Sequence, residues 1–256
     1  MFGSSIQSFT KGDLLNLKNR SKDMTLSLVV PFYNEEKSIR EVVRGLFDTF
    51  ERSSIDYELI LVNNGSTDKT PQILEDLARE KPDTIKVVHV SINQGYGWGI
   101  INGLKRVSGE YIGFMDGDGQ IKSSDVLKVY SKLVDENLDL CLTKRVARED
   151  GLARKFISYC YNFIFRFLFS LNAKDINATP KIMRREIYEK LDLVSKGWFL
   201  DAEVVIKCTR MNCKIGEASV TFHKRKAGKS YVNFCAILEF LKNMIRYRLG
   251  PFESGH

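Results

Sequence analysis

Asp116 and Asp118 are the side chains in this sequence around which chemistry is most readily built. They follow an apolar run, Tyr111-Ile112-Gly113-Phe114-Met115, and precede Gly119 and Gln120. Such a run suits a buried strand, so both carboxylates are expected at its carboxyl end. In extended chain, residues two apart face the same side. Two carboxylates side by side repel, and a cation between them relieves the repulsion. A hard divalent ion such as Mg²⁺ or Mn²⁺, shared with substrate phosphates, meets that need. Asp116, Asp118 and Gln120 are therefore the candidate metal ligands, with Gln120 adding a neutral oxygen. Gly117 and Gly119 let a bulky ligand approach the backbone. An acidic, glycine-rich turn that holds no metal uses the same residue types, so the rest of the chain must decide.

Three further polar loops follow apolar runs. Leu26–Phe32 reads as a first strand, ending in Tyr33-Asn34-Glu35-Glu36. Asn34 is expected to cap a helix with Glu35 and Glu36 in its first turn; Ile39, Val42, Val43, Leu46 and Phe50 then recur at helical spacing. Tyr57–Val62 reads as a second strand, followed by the loop Asn63-Asn64-Gly65-Ser66-Thr67-Asp68. Thr70 and Pro71 are expected as N-cap and first helical residue, before a stripe of Ile73, Leu74 and Leu77. Ile85–Val90 is a third strand, and Asn93 to Gly99 leads into a helix through Leu104. Strands alternating with helices predict an α/β fold, a mostly parallel sheet with helices on both faces. Ligands of such sheets bind at the carboxyl ends of the strands, where all four loops fall.

A dinucleotide fold is the obvious rival. Gly95, Gly97, Gly99 and Gly103 do not spell G-x-G-x-x-G and follow the third strand, not the first. No P-loop is present. The 256 residues carry 39 Lys and Arg against 32 Asp and Glu, a net charge of +7. That balance favours anionic partners such as phosphate ligands or an acidic membrane surface. Nucleic acid is disfavoured, since no aromatic-interleaved basic platform exists. Five cysteines without metal-site spacing read as reduced thiols of a cytoplasmic protein. Residues 1–24 read as a polar arm without a signal-peptide core, and no apolar run is long enough to span a membrane.

Val30-Pro31-Phe32-Tyr33-Asn34-Glu35, Val62 to Asp68, Asn93 to Gly97 and Asp116 to Gln120 resemble, in order, the signatures of family-2 glycosyltransferases. The chain is most similar to the dolichyl-phosphate mannosyltransferase and polyprenyl-phosphate glucosyltransferase branch, from about residue 26 to residue 231. The resemblance implies a GT-A-like fold and an inverting enzyme that moves a sugar from a nucleotide-diphosphate-sugar donor. It implies that Pro31, Tyr33, Glu35, Val62, Asn64, Asp116, Gly117 and Asp118 bind that donor. The chain departs from the family at Asn63-Asn64, where an aspartate pair is usual. Asn64 can accept a hydrogen bond from the base but also donates, which leaves uracil, guanine and cytosine open.

The second half supplies the acceptor side. Lys144, Arg145, Arg148, Arg154 and Lys155 form a basic cluster after an expected strand at Leu138–Leu142. The resemblance assigns Arg145 and Arg154 to an acceptor phosphate and makes Asp201 a carboxylate that positions or deprotonates the acceptor. Asp175-Ile176-Asn177 resembles an acceptor-side loop, with Ala178-Thr179-Pro180-Lys181 replacing the branch's Gly-Phe-Lys. In the basic loop from Thr221 to Ser230, Arg225 and Lys229 are candidate phosphate ligands, Arg225 with a catalytic role, and His223 is a weaker candidate base. Phe156–Leu171 and Phe234–Leu249 are rich in apolar residues with interspersed cations, and suit helices lying in a membrane interface. They equally suit core helices over the sheet. Three regions are expected: an arm (1–24), a catalytic domain (25–231) and an amphipathic, membrane-proximal helix (232–256). The sequence thus predicts a peripheral enzyme on the cytoplasmic face of a membrane, with polyprenyl phosphate as acceptor. A transferase to a sugar hydroxyl of a lipid-linked or surface glycan is the first alternative, and a non-catalytic nucleotide- or membrane-surface-binding protein the second.

Overall fold

The structure, a computed structural model, describes residues 25–53, 55–148, 164–169, 173–223 and 234–249. Strand β1 (Leu26–Phe32) is followed by α1 (Ile39–Ser53), β2 (Tyr57–Asn64), α2 (Thr70–Glu80), β3 (Ile85–Val90), α3 (Tyr96–Leu104) and β4 (Tyr111–Phe114). Next come α4 (Ser123–Asp135), β5 (Leu140–Arg148), β6 (Lys181–Arg184), α5 (Arg185–Leu191), α6 (Leu200–Arg210), β7 (Ile215–Phe222) and α7 (Phe234–Leu249). Residues 164–169 are also helical.

The strands form one seven-stranded sheet in the order β3-β2-β1-β4-β6-β5-β7. β1 pairs in parallel with β2 and β4, β2 with β3, and β5 with β7. Among the described strands only β6 runs against its neighbours, β4 and β5. The side-chain period of two divides β1 between two cores. Leu26, Leu28, Val30 and Phe32 join α1, α2 and α4 on one face, while Val29 joins α3, α5, α6 and α7 on the other. Each fully buried Leu, Val or Phe stabilises this sandwich by about 1.5–3 kcal/mol. The expected α/β architecture with helices on both faces is what the chain adopts.

The loops differ in detail from their expected capping. Asn34 adopts φ 54° and caps no helix; its Oδ1 accepts the Thr67 amide at 2.8 Å, and its own amide donates to Ser66 Oγ. Glu35 starts the helical turn instead, its carbonyl accepting the Ser38 and Ile39 amides. Thr70 is a helical residue whose hydroxyl accepts the Glu35 amide at 3.0 Å, while Asp68 accepts the Thr70 amide. These polar side chains serve a neighbouring loop more than their own helix, since several buried backbone donors there need partners. β2 extends through Asn63 and Asn64, and β5 through Lys144 and Arg145, so neither pair lies in a loop. β4 ends at Phe114, and Asp118 sits in a bend beyond it, not in extended chain.

Candidate active site

β1, β2, β3 and β4 all present their carboxyl ends to one edge, and the four polar loops meet there. The first two loops are knitted into one platform. Besides the Asn34 and Thr70 bonds, the Glu36 amide donates to Asp68 and the Lys69 amide to Glu36. Glu35 is buried and its carboxylate accepts the Ser38 hydroxyl at 2.7 Å. Pro31 pairs with Val62 across the sheet. Val62 points into the core, where a Cβ on Gly103 would strike it, so it supports the platform from below. Tyr33 is half-buried at the end of β1.

Asn64 is buried at the end of β2. Its Nδ2 donates to the Gly95 carbonyl at 3.0 Å. Only the NH₂ side of an amide can face a carbonyl, so the orientation is fixed and Oδ1 is left as a buried acceptor without a partner among the described residues. Asn63 accepts the Ser66 amide and lies 3.2 Å from His89 Nδ1.

Gly117 lies against the end of β1; a Cβ there would meet the Phe32 ring at 2.6 Å and the Pro31 carbonyl at 2.8 Å. That close approach sets the Asp116–Asp118 turn against the end of β1. The Asp116 amide donates to Thr179 Oγ1. Burial, then the neighbouring Asp116 charge, push the Asp118 carboxyl up to about 7. The donor set fits a hard divalent cation: two crowded carboxylates whose repulsion such an ion removes. Among the described residues no cluster of three His, Cys, Asp or Glu forms a metal cage, so substrate oxygens and water would complete the shell. Gln120 is placed next to the pair, but its Nε2 donates to the His223 carbonyl at 2.8 Å and its own carbonyl accepts the His223 amide. It latches the acidic loop to the end of β7. His223 Nε2 is buried without a partner among the described residues.

Asp201, in the first turn of α6, is buried and paired with Lys181 Nζ from β6. Burial raises its carboxyl to about 6, with Lys181 opposing the rise and Asp116 adding to it. Asp116 and Asp201 are therefore within electrostatic reach of each other. Arg145 is nearby, holding Asp175 by two bonds of 2.6 Å, Nε to Oδ2 and Nη2 to Oδ1. Its guanidinium lies 5.1 Å from the Phe222 ring centre. The sequence placed Asp175 in an acceptor-side loop and marked Lys181 only by the altered Ala178-Thr179-Pro180-Lys181 stretch, and neither ion pair was foreseen. Tyr96 was missed as well, inside the glycine-rich loop. Arg154, Lys155, Arg225, Lys229, the 1–24 arm and most of Phe156–Leu171 lie outside the described residues.

A mostly parallel sheet with paired carboxylates at the carboxyl ends of its strands has the architecture of a ligand-binding edge. Glucosyl-3-phosphoglycerate synthase from Mycobacterium tuberculosis, solved with Mn²⁺, UDP and glucosyl-3-phosphoglycerate, has the same fold: TM-score 0.72 at 20% identity, covering 100% of this chain and 88% of that one. The chain belongs to glycosyl transferase family 2, which matches residues 27–192. It is a glycosyltransferase of an inverting family that uses nucleotide-sugar donors. It is 32% identical to dodecaprenyl-phosphate galacturonate synthase of Rhizobium johnstonii, over 92% of this chain and 70% of the relative. It is 28% identical to dolichyl-phosphate beta-glucosyltransferase of Saccharomyces cerevisiae, over 84% and 72%.

Proposed function

We propose that this protein transfers a sugar from a nucleoside-diphosphate donor to a polyprenyl phosphate at the cytoplasmic face of a membrane. The observation that carries the acceptor class is the Lys181–Asp201 pair. A sugar hydroxyl needs a base to take its proton, and Oδ1 of Asp201 is already occupied by the Lys181 ammonium. A phosphate acceptor is already ionised near neutral pH, so orientation and desolvation suffice. The relatives named above act on dodecaprenyl and dolichyl phosphates by their names, which supports the same class here.

Asp116 and Asp118 would hold Mg²⁺ or Mn²⁺ on the donor diphosphate, as Mn²⁺ or Mg²⁺ accompanies UDP in the structural neighbour. When bound, the ion neutralises charge that develops on the leaving phosphate. The orphaned Asn64 Oδ1 would accept an N–H from the base. Arg145 and Asp175 shape the acceptor side, with Arg154, Arg225 and Lys229 as further phosphate ligands. Helix α7 exposes Lys242, Ile245, Arg246 and Arg248, and Phe167 is 80% exposed; these suit an acidic lipid surface. Among the described residues no helix is long and apolar enough to cross a membrane.

The test is a mass-spectrometric screen of nucleotide sugars against a short polyprenyl phosphate and a lipid-linked glycan, with Mn²⁺ and with EDTA. A glycosylated polyprenyl phosphate that forms only with metal is expected, and Asp118→Asn should abolish it. Product on the glycan alone sinks the acceptor assignment, and equal turnover in EDTA sinks the metal.

A further inference from the structure

Tyr96 opens α3 directly after Gly95, whose carbonyl accepts from Asn64. Its position is fixed from both sides. The Gly97 amide donates to the Gly197 carbonyl and the Trp98 amide to the Lys196 carbonyl, at 3.2 and 2.8 Å. Gly95 adopts φ 123°, and a Cβ on it or on Gly97 would strike the Lys196 or Ser195 carbonyl. The glycines thus let the two loops zip together, and the Tyr96 ring stacks on Trp198 with centroids 4.9 Å apart and planes 11° from parallel. The loop bearing Trp198 is itself anchored from below. Buried Glu203 accepts the amides of Val194 and Ser195.

So rigid a mounting is out of proportion to what the ring tip does within the described residues. The Tyr96 hydroxyl is buried beside the Asp116 carboxylate, without a well-formed hydrogen bond among the described residues. A buried hydroxyl left unpaired costs free energy. The Asp116 and Asp201 carboxylates both lie within electrostatic reach of it. Asp116 belongs to the donor-phosphate side and Asp201 to the acceptor side. In a transfer, the group between leaving phosphate and acceptor is the sugar itself.

We infer that the Tyr96 hydroxyl reads a hydroxyl group of the transferred sugar, and so helps to set which donor sugar is used. This rests on the proposed transferase function. A phenol both donates and accepts, so it can bridge a sugar hydroxyl to the Asp116 carboxylate. Stacking on Trp198 and the backbone zipper keep it in place before the donor arrives, which limits the ordering that binding requires. Tyr96 is a specificity residue in this role, distinct from the metal ligands and from Asp201.

Tyr96→Phe keeps the ring and its stack while removing only the oxygen. The donor with the highest turnover among UDP-glucose, UDP-galacturonate, UDP-N-acetylglucosamine and GDP-mannose serves as probe, with Mn²⁺ and a short polyprenyl phosphate. The variant should bind the corresponding nucleoside diphosphate as wild type does. Its kcat/KM for the sugar donor should fall at least about tenfold, because a site built to bond a hydroxyl loses discrimination when the bond goes. Among deoxy analogues of that donor, one should be used equally by wild type and variant, which identifies the hydroxyl read. An unchanged kcat/KM overturns the inference. So does an equal loss in diphosphate affinity, which would make Tyr96 a positioning residue for Asp116. Failure of wild type to turn over any donor overturns the proposed function, and this inference with it; the other outcomes leave that function standing.

Discussion

Lys181 and Asp201 are ion-paired where solvent reaches neither: their side chains are 0% and 5% exposed. The ammonium also donates to the Ala178 carbonyl at 2.9 Å and lies 5.7 Å from the centre of the Phe114 ring. A pair so placed contributes little net stability, but removing one partner strands the other charge. Lys181→Met should therefore destabilise the fold by about 3–5 kcal/mol. Asp201→Asn in the same chain should restore much of it. The pH dependence has a definite sign. The folded carboxyl titrates near 6, above its ordinary 3.8, so the folded state holds the proton more tightly. That contribution is full below the ordinary value and is lost as pH rises through about 6. The penalty of Lys181→Met should accordingly shrink in acid. Urea unfolding at several pH values measures it, and a loss below about 1 kcal/mol at pH 8 would show that the charge is solvated after all.

Asp118 predicts a pH dependence of donor binding. Burial and Asp116 hold its carboxyl near 7, and a divalent ion needs the ionised form. Affinity for UDP with Mn²⁺ should rise between about pH 6 and pH 8, with proton release on binding near neutrality. Asp116→Asn removes the neighbouring charge and should move that rise to lower pH while weakening binding. Calorimetry in two buffers of different ionisation heat reads the proton directly; binding without proton release at pH 6.5 contradicts the coupling.

Asn64 carries the prediction about the base. Its NH₂ is committed to the Gly95 carbonyl, so only Oδ1 is left to accept from a base. An acceptor in that position favours a base with a ring N–H, uracil or guanine, over cytosine, whose ring N3 is an acceptor. Asn64→Asp would set a carboxylate oxygen against the Gly95 carbonyl, about where Nδ2 now lies at 3.0 Å. UDP or GDP affinity should fall by about tenfold, equivalent to about 1.4 kcal/mol. Unchanged ranking and affinity of UDP, GDP and CDP in the variant would remove Asn64 from the base site.

The run Leu26–Phe32 and the run Ile85–Val90 became β1 and β3 with the expected bounds, because a buried parallel strand is a continuous apolar stretch ended by polar residues. The meeting of four loops at one edge followed from alternation of strand and helix. What stayed hidden were contacts between residues far apart in the chain. Arg145 and Asp175 are 30 positions apart, Lys181 and Asp201 are 20, and no local pattern marks either pair. Asn34 and Thr70 misled for a related reason: they are the residue types of helix caps, and tertiary neighbours took their hydrogen-bonding capacity. Tyr96 hid among glycines because a loop's composition does not tell which side chain it delivers.

The last prediction separates anchor from core. Helical residues 164–169 and α7 both rest on Phe199, through Phe165, Phe240 and Tyr247 with ring centroids 6.4, 5.2 and 5.0 Å away. Phe165, Phe240 and Met244 are buried, whereas Phe167 is 80% and Ile245 58% exposed. One face of each segment thus covers the sheet and the other is free to meet lipid. Inserting Phe167 and Ile245 into the head-group region would gain about 1.5–3 kcal/mol each, and Lys242, Arg246 and Arg248 would add about 1 kcal/mol apiece at an acidic surface. Binding to phosphatidylglycerol vesicles should weaken as salt rises, since exposed charges are screened over about 10 Å at 0.1 M. Phe167→Glu with Ile245→Glu, both surface positions, should release the protein from vesicles and lower turnover on long-chain acceptor while sparing UDP binding and thermal stability. If the double variant still sediments with vesicles as wild type does, these two segments serve only to cover the sheet, and the membrane must be met through residues elsewhere in the chain.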